Sequence, residues 1–582
     1  MLSNQQVAQV FENIADAMEL LGEDRFKYQA YRRAGETLSA LPVSLHDYHA
    51  RGALQEINGV GAAIAAKIAE LLDTGKLEFY ERLRARVPDG VLDVMRVPGV
   101  GPKTAWRLYQ ELGIAGLESL EAAASAGHIR TLKGLGVKLE ERIIAGLQNQ
   151  ATGPERFLLG EALPLAQALV AAFRAAEPAL IDVCYAGSLR RSCPTVGDID
   201  LVATALDQAA ALEAFAALPQ VAAVESRANM RIDVRLHNGK SCSLFVATPD
   251  TWGAALVSWT GSQAHRERLQ ELVAARDLIL GENGLMQGTV LIPTPTETDV
   301  YNALDLPFIE PELREDWGEI RAAQEGRLPQ LVQVEDIRGD LHTHSMWSDG
   351  HGSVDELARA AYARGYAYYA ITDHSVYMGM VNGLDADRLR AQRAEIDVVN
   401  AKYERDGIDF RLLQGTEVDI LPDGSLALPD EVLGTLDWVV ASLHVSLRQD
   451  RQTVTERLLR AIRNPHVDCI GHPTGRLLLR RDGADLDMDV ILEAAATSGV
   501  VLEVDGSYPR LDLDAEYVKR AIDLGIKIAI NSDAHHPNEL EGLDYGVLTA
   551  RRGWASRTDV VNTWTWEEIE AYKARRAVAT QA

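Results

Sequence analysis

Between Asp340 and His536 the chain repeats one arrangement: a short apolar run that ends in histidine, aspartate or glutamate, followed by a stretch of helical period. Leu341-His342-Thr343-His344 is the first, with Asp349 in the loop beyond it. Ala370-Ile-Thr-Asp373-His374, Gly415-Thr-Glu417-Val-Asp419, Ala441-Ser-Leu-His444, Ile470-Gly-His472-Pro and Asn531-Ser-Asp533-Ala-His535-His536 follow. Apolar strands alternating with helices form parallel sheets covered on both faces, and in a closed β/α barrel every strand delivers its last residues to one rim. Side chains two apart on a strand share a face, so His342 and His344 are placed to share one ion. Mixed imidazole and carboxylate groups favour Mn²⁺, Zn²⁺ or Fe²⁺ over Ca²⁺.

That barrel accounts for less than half of the 582 residues, and one core stops growing at roughly 250–300, so three or more domains are expected. With 47% hydrophobic and 25% charged residues the composition excludes a disordered or fibrous chain. The four cysteines form no C-x-x-C pair, the N-terminus has no basic-then-apolar leader, and no apolar run is long enough to span a bilayer. A cytoplasmic protein without membrane contact is expected. The net charge of −27 opposes binding to a polyanion, but it is uneven. Residues 1–150 carry 17 basic and 19 acidic side chains, 151–315 carry 12 and 21, and 316–582 carry 29 and 45. Clustered cation ligands account for part of the later acidity.

A second candidate centre lies upstream. Gly187-Ser188-Leu189-Arg190-Arg191 combines a turn that frees N–H groups with fixed positive charge, which suits a triphosphate. Asp198-Ile199-Asp200 follows in a β-branched run that reads as a strand, putting both carboxylates on one face toward that phosphate. Two cations held roughly 3.5–4 Å apart need a third carboxylate, and Arg231-Ile232-Asp233-Val234-Arg235 supplies one on another alternating strand.

Residues 1–150 read as helical with short glycine-containing breaks. One unit recurs there: Ile57-Asn-Gly59-Val-Gly61, Val97-Pro-Gly99-Val-Gly101 and Leu132-Lys-Gly134-Leu-Gly136, each before a helix. The spacing resembles the helix-hairpin-helix, in which two glycines leave helix N-terminal N–H groups facing a DNA phosphate. The third copy is the weakest match.

Taken together, these segments resemble the bacterial family X DNA polymerases that carry a C-terminal polymerase and histidinol phosphatase (PHP) domain. The resemblance implies a multidomain fold: a helical lyase-like domain with the first hairpin at 1–90, fingers with further hairpins at 91–150, an α/β nucleotidyltransferase palm at 151–245, a thumb at 246–315, a linker at 316–335 and a distorted, seven-stranded β/α barrel at 336–582. It also implies residue roles. Asp198, Asp200 and Asp233 would be catalytic and hold two Mg²⁺ or Mn²⁺ ions. Gly187, Ser188, Arg191, Gly197, Trp259, Gly261 and Arg266 would bind the nucleotide, with Arg231 against the primer backbone. Lys27, Tyr31 and Lys67 would line a 5′-phosphate pocket, while Gly59, Gly61, Gly99 and Gly101 would contact DNA. His342, His344, Asp349, His374, Glu417, His444, His472, Asp533 and His535 fill all nine ligand positions for three divalent metals, with Arg476 and Arg510 as further phosphate candidates. Several positions depart from the family. Ala63 replaces a phosphate-binding lysine, so Lys67 is either a Schiff-base amine or a plain phosphate contact. Ser258 and Trp259 stand for a tyrosine and a phenylalanine, and Arg266 for an asparagine.

The implied function is filling of short gaps in DNA repair joined to a metal-dependent 3′-5′ exonuclease or 3′-end-processing activity. The partners would be gapped or nicked DNA and deoxynucleoside triphosphates, and the protein a nucleoid-associated monomer. Two alternatives stay open: a barrel nuclease whose palm merely holds DNA, and a silent scaffold that binds DNA ends.

Overall fold

The computed structural model describes residues 2–581 apart from 3, 42–43, 58, 96, 98–99, 133, 151–155 and 378–380. The N-terminal region is helical. Helix α1 (Asn4–Leu20) buries Val7, Phe11, Ile14 and Met18, a stripe at spacings of four and three, against α2 (Arg25–Ala40). Gly35 lets the two helices touch, because a Cβ there would meet Glu12 Cγ at 2.8 Å and Ala8 O at 3.2 Å. Helices α3 (Ala62–Thr74), α4 (Pro102–Leu112) and α5 (Val137–Gln150) each follow the same turn, in which Val60, Val100 and Leu135 donate to the carbonyl three residues back. The third copy thus forms the same turn as the other two.

The middle of the chain is α/β. Helix α6 (Leu159–Ala176) covers a five-stranded sheet of β1 (Leu180–Tyr185), β2 (Ile199–Ala205), β3 (Val221–Arg227), β4 (Arg231–Leu236) and β5 (Ser241–Ala247) in the order β1-β2-β5-β4-β3. Only the β2–β5 pair is parallel. Helices α7 (Trp252–Thr260) and α8 (Gln263–Ala274) then lead into a small unit built on Glu297. That buried carboxylate takes Arg190 Nη1 and Nη2 at 2.8 and 2.6 Å and Arg314 Nη1 at 2.7 Å, tying the turn after β1 to the end of the thumb.

The C-terminal region is a parallel sheet of seven strands in sequence order: β6 (Gly339–Asp340), β7 (Tyr368–Ile371), β8 (Arg411–Asp419), β9 (Trp438–Ser442), β10 (Cys469–Gly471), β11 (Val501–Asp505) and β12 (Ile528–Asn531). It closes on itself where His344 N–H donates to Ala534 O at 2.9 Å and Asp533 N–H to His342 O at 3.1 Å. Along each strand the alternating positions change character toward the C-terminal end. Leu413, Gly415 and Glu417 succeed one another on β8, then Val440, Ser442 and His444 from β9, Val501, Glu503 and Asp505 on β11, and Ala529, Asn531 and Asp533 from β12. The apolar members form one buried cluster with Tyr368, Trp438, Cys469 and Trp566. The core at one end of the barrel therefore becomes a polar site at the other.

Residues 316–335, expected as a polar linker, are packed in place. Glu319 accepts a 2.6 Å hydrogen bond from His265 Nδ1, Ala322 and Ala323 are buried, and Val332 N–H donates to Ala555 O. The polar composition hides these pairings because their partners lie more than 50 residues away. The barrel also enters the palm: Leu511 is fully buried in the palm core beside α6, and Gly160 leaves room for the ring of Tyr508. Helix α9 (Gly542–Arg552) lies along this boundary.

Because Glu297 is hydrogen-bonded by two guanidinium groups, its carboxyl is held down to about 2 against the opposing effect of burial. Its stabilising contribution is full above about pH 4.5 and is lost as pH falls toward 2. Replacing Glu297 by Ala leaves two buried cations unpaired and should cost about 3–5 kcal/mol, seen as a lowered first transition in thermal unfolding at neutral pH.

Candidate active sites

The palm site is assembled from β2, β4 and the turn after β1. Asp200 and Asp233 both pair with Ser243, on the strand between theirs, so they stand roughly 10 Å apart at Cα on one face with a small side chain between them. Ser243 Oγ and Ser226 Oγ donate to Asp233 at 2.7 and 2.5 Å, and Arg231 Nε adds a third bond at 2.8 Å. These bonds outweigh burial and hold the Asp233 carboxyl below the usual range. Asp200 differs: burial first, then the charge of Asp198, push its carboxyl up to about 7. Asp198 is exposed and precedes the strand, which begins at Ile199, instead of lying on it as the alternating pattern suggests.

Gly187 has a φ of +60°, and a Cβ there would lie 2.5 Å from Asp200 Oδ2, so both its conformation and its position against the carboxylate call for glycine. Gly187, Ser188, Arg191, Asp200, Arg231, Trp259, Gly261 and Arg266 all line one open cleft of about 780 Å³. Of the expected nucleotide residues only Gly197 is not in that wall. Trp259 stacks on Phe245 with ring centroids 5.5 Å apart, donates to Glu282 at 3.1 Å and carries the Arg231 guanidinium 5.1 Å above its ring. Arg266 Nη1 donates to Ser258 O at 3.2 Å. Ser243 and Ser226, which hold the Asp233 carboxylate, are not marked by the linear pattern; only the cross-strand register exposes them.

In the barrel all nine expected side chains meet. Glu417 is fully buried, with His374 Nδ1 at 2.8 Å, His472 Nε2 at 2.9 Å, His444 Nε2 at 3.0 Å, His342 Nε2 at 3.5 Å and His344 Nε2 at 3.6 Å. Asp533 approaches His344 at 3.0 Å and His342 at 3.6 Å, and Asp349 lies 3.6 Å from both His374 and His535. Among the described residues, three sets of ligand atoms lie within 4.8 Å of one another: His344, Asp349, His374 and His535; His342, His344 and Asp533; His374, Glu417 and His444. The palm aspartates form no such set. The strand itself ends at Asp340, so His342 and His344 sit on its extended continuation, which pairs with the segment after β12.

Neither oxygen of Glu417 makes a hydrogen bond despite these five imidazoles, and His342 Nε2, His344 Nδ1, His374 Nδ1 and His472 Nδ1 are likewise buried without one. Buried polar atoms almost always find partners. Apart from His344 and His535, which bond Asp533, these side chains converge with few aligned bonds among themselves and surround points between them, and their mixed imidazole and carboxylate donors suit divalent transition metals.

An outer layer of carboxylates aims the imidazoles. His342 Nδ1–H donates to Glu503 at 2.8 Å and His444 Nδ1–H to Asp419 at 2.8 Å, which turns each Nε2 inward. Asp373 accepts from Ser345, Ser348 and Gln392 and so holds the loop that carries Asp349. Glu503 is absent from the sequence reading; its signal was an acidic residue inside the apolar run Val500–Val504. Arg476 is occupied by Asp514 and Arg510 O, whereas Arg510 reaches the site, 3.3 Å from Asp505 and 3.8 Å from Asp533.

In the N-terminal region Lys67 lies over the rings of Tyr31 and Phe79 at 5.8 and 5.5 Å, and those rings stack at 5.7 Å. Lys27 is exposed one helical turn before Tyr31 on α2. Gly59 has φ +77°, whereas Gly61 and Gly101 cap α3 and α4 in ordinary extended conformations. Gly99 lies outside the described residues.

A nucleotidyltransferase-type sheet bearing Asp200 and Asp233 with Asp198 beside it, preceded by helical hairpins and followed by a barrel rimmed with converging imidazoles and carboxylates, defines a polymerase core joined to a phosphoesterase. Comparison with known proteins agrees. The helix-hairpin-helix domain matches residues 2–77, the SAM-like helix-hairpin-helix tandem 91–149, the DNA polymerase beta thumb 255–315 and the PHP domain 340–506. The DNA polymerase/3′-5′ exonuclease PolX of Bacillus subtilis is 35% identical over 578 residues, covering 99% of this chain and 100% of that protein. DNA polymerase lambda of Rattus norvegicus is 26% identical over 54% of this chain and 56% of its own. A probable phosphatase of Thermoanaerobacter sp. (strain X514) is 31% identical over 38% of this chain, in an alignment covering 89% of that protein. The chain belongs to the family X DNA polymerases that carry a C-terminal PHP domain and combine polymerase with 3′-5′ exonuclease. The family implies divalent metals. Among the described residues no helix is long and apolar enough to cross a membrane.

Two outcomes follow from this geometry. Glu503→Ala should lower the affinity of the barrel for Mn²⁺ by about 10–100-fold in a competition titration, since His342 loses the bond that orients it. In chelator, the folded chain keeps a proton on Asp200 that the unfolded chain releases near pH 4, so this group's contribution to stability falls as pH rises to about 7 and is flat above. The melting temperature of Asp200→Asn relative to wild type should therefore rise from about pH 5 to about pH 7 and then stay constant.

Proposed function

We propose that this protein fills short gaps in DNA through the palm and trims the same 3′ end through the barrel. The observation that carries the reading is Glu417, a fully buried carboxylate on which five imidazoles converge, three of them within 3.0 Å yet none aligned on its oxygens, which fits a loaded cation centre. Asp198 and Asp200, with Gly187 packed directly against the Asp200 carboxylate, offer the corresponding cradle in the palm. Two Mg²⁺ or Mn²⁺ ions in the palm and three Mn²⁺, Zn²⁺ or Fe²⁺ ions in the barrel would supply charge that orients an in-line displacement and polarises a phosphodiester and a water.

The chain's own groups do the rest. The Gly187-Ser188 turn and Arg191 hold the triphosphate, while Trp259 and Gly261 form the wall against sugar and base and Arg266 reaches the base-pair edge. Arg231, half exposed and resting on Trp259, leaves Asp233 for the primer backbone, which frees that carboxylate for the primer 3′-oxygen. In the barrel, Glu503, Asp419 and Asp373 keep the imidazoles and Asp349 aimed, and Arg510 takes the phosphate of the leaving nucleotide.

The hairpins hold the duplex. Gly61 and Gly101 have ordinary φ values, and a Cβ on either would meet nothing within 4 Å. Neither backbone strain nor internal packing explains glycine at these caps; close approach of a DNA phosphate to the helix N-terminus does. Lys67, seated on Tyr31 and Phe79, would meet the 5′-phosphate with Lys27. The chain would act as a cytoplasmic, nucleoid-associated monomer on gapped or nicked DNA.

The test is a labelled gapped duplex incubated with and without nucleotides in Mg²⁺ or Mn²⁺. Asp198→Ala/Asp200→Ala should cut chain extension at least about a thousandfold and spare shortening, whereas His444→Ala should do the reverse. Loss of both activities in either variant would refute two independent centres, and extension that survives the first would refute the palm assignment.

A further inference from the structure

Helix α9 belongs to both halves of the molecule. Leu543, Val547 and Ala550 enter the barrel core, Tyr545 and Leu548 pack on the palm core, and two buried arginines end the helix. Arg551 Nε bonds Glu312 at 2.7 Å. Arg552 Nη1 bonds Glu315 Oε1 at 2.6 Å and the main-chain carbonyl of Arg191 at 2.8 Å. The same Glu315 oxygen takes Arg191 Nε at 2.8 Å. A barrel side chain thus touches the palm's Arg191 twice, once at its backbone and once through a shared carboxylate.

The other face of Arg191 is held too. Its Nη1 donates to Thr260 O at 2.5 Å, and a Cβ on Gly261 would come within 3.1 Å of it. Burial raises the Glu315 carboxyl, but Arg552 and Arg191 outweigh it and keep the group ionised. One carboxylate between two guanidinium groups leaves a net positive charge at the back of the cleft. Without Arg552, Glu315 and Arg191 would neutralise each other, and the carbonyl of Arg191 would lose its donor.

We infer that Arg552 of the barrel is a positioning residue for nucleotide addition, keeping Arg191 placed and the cleft positive toward a triphosphate through Glu315. This rests on the assignment of Arg191 to the triphosphate. A charge that acts on the bound triphosphate in ground and transition states alike changes KM more than kcat.

The full chain is assayed on a one-nucleotide gap with varied deoxynucleoside triphosphate. Arg552→Ala should raise KM about tenfold with kcat within about twofold and an unchanged exonuclease rate. In the Arg552→Ala background, Glu315→Gln should bring KM back to within about threefold of wild type, because the amide can still bond Arg191 without cancelling its charge. An unchanged KM in Arg552→Ala, or a joint fall of kcat and exonuclease rate that Glu315→Gln does not reverse, overturns the inference. Arg191→Ala separates the two levels: if it leaves KM unchanged, the triphosphate assignment itself falls; if it raises KM while Arg552→Ala is silent, only the role of Arg552 does.

Discussion

A carboxylate removed from water has to be neutralised, and both centres of this protein are built around that requirement. Glu417 is out of contact with solvent and has no hydrogen bond; Asp200 is pushed toward neutrality by burial and by Asp198. Leaving such groups uncompensated costs several kcal/mol each. The sheets on which they sit put that cost where cations can offset it. In the barrel, β8, β9, β11 and β12 each change from apolar to polar along one face, so the core that stabilises the fold also stiffens the base of the site. In the palm, Ser243 spaces two carboxylates across three strands and bonds one of them.

The sequence exposed the ligands more fully than their supports. His342, His344, Glu417, His444 and Asp533 stand at the ends of apolar runs, where local pattern is enough, and they converge because parallel strands share one rim. Glu503 is marked locally only as an acidic residue inside an apolar run, and Asp419 only as the neighbour of Glu417; the pairing of Glu503 with a histidine 161 residues earlier, and of Asp419 with His444, gives each its purpose. Asp198 falls just outside the strand that its spacing to Asp200 suggests. The segment 316–335 looks like a tether by composition, yet its Glu319 is the partner of buried His265. Long-range pairings of this kind are set by the assembled fold, and no window along the chain contains both members.

The helical N-terminus follows a simpler rule. Its three turns are closed by the same hydrogen bond, and the glycines that cap the next helices keep the approach to their N–H groups clear. Contacts of that type bind phosphates and carry no base information. A chain of net charge −27 can then hold a polyanion through oriented dipoles and a few placed cations, with its acidic surplus confined largely to the segments downstream of residue 150.

The way Leu511 and Tyr508 are sunk into the palm bears on how the parts can be separated. A palm cut free of the barrel would carry an apolar wound where Leu511, Tyr545 and Leu548 had been, and exposed patches of that kind promote association and misfolding. Failure of an isolated polymerase half would then report a torn seam rather than missing catalysis. The two enzymes share a wall, and a cut between them uncovers it on the palm side.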